Sequence, residues 1–255
     1  MRRGTGVLLA AALCFALLPR AGAAEVTVSA QSAVLMEAES GRVLYAKDAD
    51  TPRLIASTTK LMTALVALES GHSLEEDVTI PAEAAGVEGS SLYLKAGETV
   101  KLKTLLYGML LHSGNDAATA VALYCAGSLE AFAQKMNEKA QQLGMTNSHF
   151  TNPTGLDGEE HYSSAYDMAL LARVCLAVPE LKEITATRST TLEGRTFVNH
   201  NKLLWRYEGC VGMKTGYTHA AGRTLVSAAE RDGMTLIAVT LNAPSDWADH
   251  AAMLD

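Results

Sequence analysis

The spacing of hydrophobic and polar positions along this chain changes period twice. Near the start, 34–36 and 43–45 are apolar and flank Glu39-Ser40-Gly41, which predicts an antiparallel hairpin. The period then lengthens. Leu61, Ala64, Leu65 and Leu68 share one helical face and Gly71 stops the run. Ser57 opens that helix after the extended-looking stretch 52–55. Residues 74–97 are polar and interrupted by Pro81 and glycines, so they read as loops with short pieces. Residues 101–111 are apolar at helical spacing and end at His112-Ser113-Gly114-Asn115. Helices are predicted over 116–125 and 129–143, with Gly127 and Gly144 as breakers. A long loop over 147–160 leads to a helix over 164–177, capped by Ser163 or Ser164. After Pro179 the pattern turns strand-like: 184–192 and 196–199 around Glu193-Gly194, then 211–215, 223–229 and 235–241. The last two are joined through Arg231-Asp232-Gly233, and 247–254 begins a final helix. Strands at both ends with helices between predict an α+β domain, α/β in the broad sense. Its single antiparallel sheet is built from both ends of the chain.

Composition changes this picture at the N-terminus. Arg2-Arg3 precede an apolar run over 7–18, and Ala21-Gly22-Ala23-Ala24 offers small residues for cleavage. Residues 1–24 therefore read as a secretory signal peptide, the apolar run being short for a membrane span. Residues 25–255 are left as one exported domain. The whole chain is 48% hydrophobic and 19% charged, a composition that can bury a sizeable core. Losing the leader removes Arg2, Arg3 and Arg20 and no acid, so the formal charge of −7 becomes −10. An acidic exported domain is a poor nucleic-acid binder. Cys125, Cys175 and Cys210 remain, an odd set that allows one bridge but no disulfide framework. Cys125 and Cys175 read as buried thiols and Cys210 as a packed strand residue. The seven histidines show no His-x-x-x-His spacing and the cysteines no Cys-x-x-Cys, so neither a metal nor a cofactor is expected.

The candidate chemistry lies in three short motifs. Ser57-Thr58-Thr59-Lys60 begins a helix, with Lys60 one turn from Ser57 on the same face. A serine hydroxyl becomes a nucleophile when a base takes its proton, and a neutral lysine amine is such a base. The helix start adds N–H groups that stabilise an oxyanion. Alone the pair means little, since Ser-x-x-Lys occurs roughly once by chance in such a chain. Two further motifs follow: Ser113-Gly114-Asn115 in a loop between helices and Lys214-Thr215-Gly216 at a strand end. Ser113 is placed to relay a proton to a leaving nitrogen, and the Asn115 amide both donates to and accepts from a peptide group. Lys214 and Thr215 suit a substrate carboxylate, by charge and by hydroxyl. Gly216 lets an edge strand approach substrate closely.

In order and placement these motifs resemble the serine penicillin-binding proteins and β-lactamases, and more closely the low-molecular-mass D-alanyl-D-alanine carboxypeptidases. The resemblance runs from about residue 34 to 252. It includes Asn152-Pro153-Thr154-Gly155-Leu156-Asp157, His161-Tyr162-Ser163-Ser164-Ala165-Tyr166-Asp167-Met168-Ala169 and Asn199-His200-Asn201-Lys202-Leu203-Leu204-Trp205. It implies a β-lactamase/transpeptidase-like fold and removal of the terminal D-alanine from peptidoglycan stem peptides ending in D-Ala-D-Ala. Ser57 would be acylated, Lys60 would be the base, and Ser113 and Asn115 would complete the site. Lys214 would bind the terminal carboxylate, and the backbone N–H groups of Ser57 and Tyr217 would form the oxyanion hole. β-Lactams would be covalent inhibitors. Two alternatives stand beside this reading: a β-lactamase, and a penicillin-binding sensor without turnover. The stretch between the second and third motifs lacks the Glu-x-x-Leu-Asn pattern of class A β-lactamases, so a long-lived penicillin adduct is expected. Family members usually continue into a small β-rich domain and often a membrane-resting helix. Neither follows Asp255 in this sequence, which leaves membrane attachment open.

Overall fold

The computed structural model describes residues 26–255, so the leader expected over 1–24 lies outside the described residues. The predicted hairpin forms as β1 (Ser32–Glu37) and β2 (Val43–Lys47). Its turn is held locally. The Glu37 carboxylate accepts the N–H groups of Glu39 and Ser40, each at 2.7 Å, and Gly41 takes the left-handed φ of +74° that closes the turn.

A 3-10 turn (Ala56–Thr59) leads into α1 (Lys60–Leu68). Ser57 therefore sits one tight turn ahead of the α-helix rather than inside it. Every residue of α1 from Lys60 to Ala67 is buried. Buried on nearly every side, α1 lies inside the core and is not the one-faced helix of the sequence pattern. The ribbon β3 (Asp77–Thr79) and β4 (Thr99–Lys101) precedes α2 (Leu102–Leu111), α3 (Asn115–Ala126) and α4 (Leu129–Gln142). After the long loop comes α5 (Ala165–Ala177), where the Ser164 hydroxyl caps the helix by accepting from the Asp167 N–H at 3.1 Å.

The strand expected over 184–192 is corrected by α6 (Pro179–Ala186). Proline at the first helical position is pre-set for helix, so the chain turns helical before Ile184 and the strand waits until β5 (Ser189–Leu192). Strand β5 pairs only with β6 (Arg195–Val198), and the short α7 (Leu203–Arg206), absent from the sequence reading, follows. The single strand expected over 211–215 is two: β7 (Cys210–Gly212) and β8 (Thr215–Thr218). Then come β9 (Gly222–Arg231), β10 (Met234–Leu241) and α8 (Asp246–Leu254).

The main sheet is antiparallel in the order β2-β1-β10-β9-β7, and β8 pairs with the other half of β9. It joins both ends of the chain, as expected, because β1 pairs with β10 from Ser32 opposite Leu241 to Glu37 opposite Leu236. Both faces are covered. Val34, Met36, Val226, Ile237 and Val239 face the large core with α1, α2, α3 and α5. Ala33, Leu35, Ala229 and Ala238 face Met253 and Leu254 of α8. Cys125, Cys175 and Cys210 are free thiols; Cys175 is buried, while Cys125 and Cys210 are only partly covered.

Candidate active site

Three elements meet at the seam between the helical block and the sheet edge. The 3-10 turn carries Ser57, and the first residue of α1 is Lys60. The Lys60 side chain is 0% exposed. Its Nζ lies 3.0 Å from Ser57 Oγ, 2.7 Å from Asn115 Oδ1 and 2.5 Å from the Thr154 carbonyl oxygen. This arrangement fixes the direction of a neutral amine. Such an amine has two N–H bonds and one lone pair. The two carbonyl oxygens can only accept, so they take both N–H bonds and the lone pair is left facing the Ser57 hydroxyl.

Electrostatics favour that neutral form. Burial lowers the Lys60 pKa well below 10.5, and nearby Lys214 lowers it further. Asp116 pulls the other way, with the smallest effect of the three. It accepts the Leu92 N–H at 2.9 Å, the Leu94 N–H at 3.1 Å and the Ser91 hydroxyl at 2.7 Å. In doing so it ties the loop before β4 to the start of α3. The same loop holds Asn115: the Glu88 carbonyl accepts from Asn115 Nδ2 at 2.6 Å, and the Ser90 carbonyl from its N–H at 2.7 Å. Asn115 Oδ1 is thereby turned toward Lys60. Asn115 is helical rather than a loop residue. Ser113, buried in the turn between α2 and α3, holds a left-handed φ of +67°, a sparsely populated conformation for serine.

The third motif lies at a break in the sheet edge. Lys214 falls between β7 and β8 and not at a strand end, with its backbone still paired to Val226 at 3.1 and 2.9 Å. Gly212 and Met213, at φ +102° and +85°, make the break. The Lys214 side chain is 1% exposed, its Nζ donates to the Thr215 carbonyl at 2.8 Å, and burial pulls its pKa down to about 7. Gly216 sits against the backbone of Ser57. A side-chain carbon there would stand 2.9 Å from Ser57 N and 2.4 Å from Thr224 Oγ1. Tyr217 is exposed and, with Ser57, Asn115, Gly155, Asp157 and Thr218, lines a cleft of about 370 Å3.

Structure thus brings Ser57, Lys60 and Asn115 into direct contact, sets Gly216 beside them, and places Lys214 close enough to act on Lys60. Several participants carried no chemical signal in the sequence. Thr154 acts through its carbonyl, which no side-chain pattern reveals. Gly155, at φ +84°, would bring a side-chain carbon to 1.9 Å from the Ala56 carbonyl oxygen. Asp116 is visible in sequence only as the residue after a motif.

A family profile described as D-alanyl-D-alanine carboxypeptidase matches residues 20–245. The chain is 41% identical over 228 residues to the D-alanyl-D-alanine carboxypeptidase DacF of Bacillus subtilis, covering 86% of this chain and 59% of that one. It is 39% identical over 261 residues to DacC of Escherichia coli, covering 94% of this chain and 64% of that one. The chain therefore spans about three-fifths of the length of these two relatives. Among solved structures, a D-alanyl-D-alanine carboxypeptidase from Mycobacterium tuberculosis superposes with a TM-score of 0.87 at 35% identity, covering 92% of this chain and 93% of that one.

Proposed function

Because the chain belongs to the family of D-alanyl-D-alanine carboxypeptidases, we propose that it removes the terminal D-alanine from peptidoglycan stem peptides through an acyl-enzyme on Ser57. The observation that carries this reading is the aim of Lys60. A buried amine with both N–H bonds engaged and its lone pair on a serine hydroxyl is a general base ready to act.

Ser57 Oγ attacks the carbonyl of the penultimate D-alanine while Lys60 Nζ takes its proton. The oxyanion forms against the backbone N–H groups of Ser57 and Tyr217. The close approach of Gly216 to Ser57 supports that pairing. Collapse breaks the peptide bond, and the proton passes from Lys60 by way of Ser113 to the leaving nitrogen, releasing D-alanine. Water then attacks the ester carbonyl, giving a proton to Lys60; the bond to Ser57 Oγ breaks, Lys60 returns that proton to Oγ, and the shortened peptide departs as its carboxylic acid. Lys214 and Thr215 hold the substrate's terminal carboxylate. A carboxylate arriving beside Lys214 favours its charged form, which burial alone disfavours. Penicillin, which carries a carboxylate beside its strained amide, acylates Ser57 by the same route. The leader pattern supports export to the cell-wall space. Among the described residues no helix is long and apolar enough to cross a membrane.

The test is D-alanine release from a peptide ending in D-Ala-D-Ala, run beside penicillin hydrolysis, with the adduct mapped by mass spectrometry. D-Alanine release together with a penicillin adduct on Ser57 that lasts minutes is expected. Rapid penicillin turnover without D-alanine release would make it a β-lactamase, and an adduct without either turnover would make it a sensor.

A further inference from the structure

We infer that His161, a residue outside the three motifs, is a positioning residue for the reaction. In its neutral form it holds the Thr154 carbonyl on Lys60 and so keeps the base aimed at Ser57. This rests on the acyl-enzyme reading above and deepens it.

His161 is 1% exposed and spans two segments. On one side Nε2 lies 2.8 Å from Thr59 Oγ1, in the turn that carries Ser57 and immediately before Lys60. On the other side Nδ1 accepts the backbone N–H of Thr151 at 3.1 Å. A peptide N–H can only donate, so Nδ1 must offer its lone pair. Asn152 Nδ2, 3.4 Å from Nδ1, faces the same lone pair. That fixes the tautomer: the proton is on Nε2 and is donated to Thr59. Burial, His149 and Lys60 all disfavour the charged imidazole, whose pKa is lowered to about 4.

The segment anchored this way is the one that presents Thr154. Asn152 Oδ1 accepts the Thr154 N–H at 3.1 Å, the Thr154 hydroxyl at 2.8 Å and the Gly155 N–H at 2.8 Å. Asn152 Nδ2 donates to the Leu156 carbonyl at 3.0 Å. This side-chain turn aims the Thr154 carbonyl at Lys60 Nζ. The Pro153 carbonyl docks on Thr63 Oγ1 at 2.7 Å, one turn further along α1. His161 thus closes a ring that runs from Thr59 through its imidazole to Thr151 and Asn152, on to Thr154, and back through Lys60. If it is cut, the carbonyl holding one N–H of Lys60 loosens and the lone pair is no longer confined to Ser57.

The measurement is single-turnover acylation by a chromogenic β-lactam, resolved into the non-covalent dissociation constant and the acylation rate constant. An unfolded fraction lowers the amplitude and leaves that rate constant alone, so a purely structural role does not move it. His161→Ala should slow acylation about ten- to a hundred-fold with the dissociation constant unchanged, the size expected for a misplaced catalytic group. His161→Asn, whose side-chain oxygen reaches the place of Nδ1, should recover part of the loss. Thr59→Val, which removes only the Nε2 partner, should fall between parent and His161→Ala. An unchanged rate constant in His161→Ala, a loss confined to the dissociation constant, or no recovery in His161→Asn would each overturn the inference. If His161→Ala does not fold, the other two variants decide: parental rate constants in both would also overturn it. Failure of the parent to be acylated at all would instead overturn the acyl-enzyme reading.

Discussion

Replacing Lys214 with methionine should make the protein more stable at neutral pH, and by an amount that depends on pH. Methionine keeps the unbranched length of the side chain without its amine. In the unfolded chain a lysine titrates near ~10.4; in the fold, burial brings Lys214 down to about 7. Between those values the unfolded chain holds a proton that the folded protein has lost. Parent stability therefore rises with pH across this window and is lowest, and level, below about 7. At about 1.4 kcal/mol per pH unit the penalty approaches about 4 kcal/mol at pH 7. Methionine removes it and forfeits the bond from Nζ to the Thr215 carbonyl, about 1 kcal/mol. The net gain is about 3 kcal/mol at pH 7, shrinking below about 1 kcal/mol at pH 9.5, where the parent is relieved of most of the penalty. Urea unfolding of both proteins at the two pH values, with the slope of the transition unchanged, measures this difference. A variant less stable than the parent at pH 7, or an advantage equal at both pH values, would refute the reasoning.

Three further outcomes follow from the same geometry. Lys60→Arg should keep a folded far-UV spectrum yet lose about two to four orders of magnitude in penicillin acylation rate, because a guanidinium does not give up its proton. D-Alanine release from a peptide with a free C-terminal carboxylate should rise with pH as Lys60 loses its proton, then fall as Lys214 loses its own above about 7. The same peptide as its C-terminal amide should show the rise without the fall, in parallel rate–pH profiles. Gly155→Ala should lower stability by more than about 2 kcal/mol in thermal unfolding and slow acylation. Its methyl would collide with the Ala56 carbonyl at a left-handed backbone position that alanine resists.

The sequence disclosed most of what rests on periodicity and side-chain type. The hairpin over Glu39-Ser40-Gly41, the helix capped at Ser163 or Ser164 and the pairing of the chain's two ends are local or alternating patterns; the structure carries all three, with Ser164 as the cap. The errors have physical causes. Residues 184–186 alternate well enough for a strand, but Pro179 had already started a helix. Lys214 looked like the end of a strand because Gly212 and Met213 interrupt the edge without ending its pairing to β9. Ser57, Lys60 and Asn115 were legible because the proposed chemistry rests on their side-chain types, and the structure brings them into contact. Thr154 and His161 lie in stretches that carry the resemblance, but the roles proposed for them were not legible: one works through a carbonyl, the other through a tautomer set by a backbone N–H ten residues earlier. Contacts of that kind exist only once the loop over 147–160 has docked on α1.

The location of the site follows from what Lys60 has to be. On a surface helix the amine would stay protonated at neutral pH and Ser57 would be an ordinary hydroxyl. Lowering its pKa requires burial, and burial of an amine weakens the fold. Lys60 therefore opens a helix that is buried on nearly every side, where the surrounding apolar side chains supply the desolvation and also the stability to withstand it. The buried carboxylate of Asp116 pulls the other way, but burial and Lys214 outweigh it. Access is the remaining demand, and a central helix has none except at its end. The 3-10 turn places Ser57 at that end, half-exposed, opposite a sheet edge whose glycine at position 216 leaves room for a peptide backbone to lie against it. The break at Gly212-Met213 brings Lys214 into the same buried space as Lys60, so the group proposed to hold the substrate's carboxylate also helps keep the proposed base neutral.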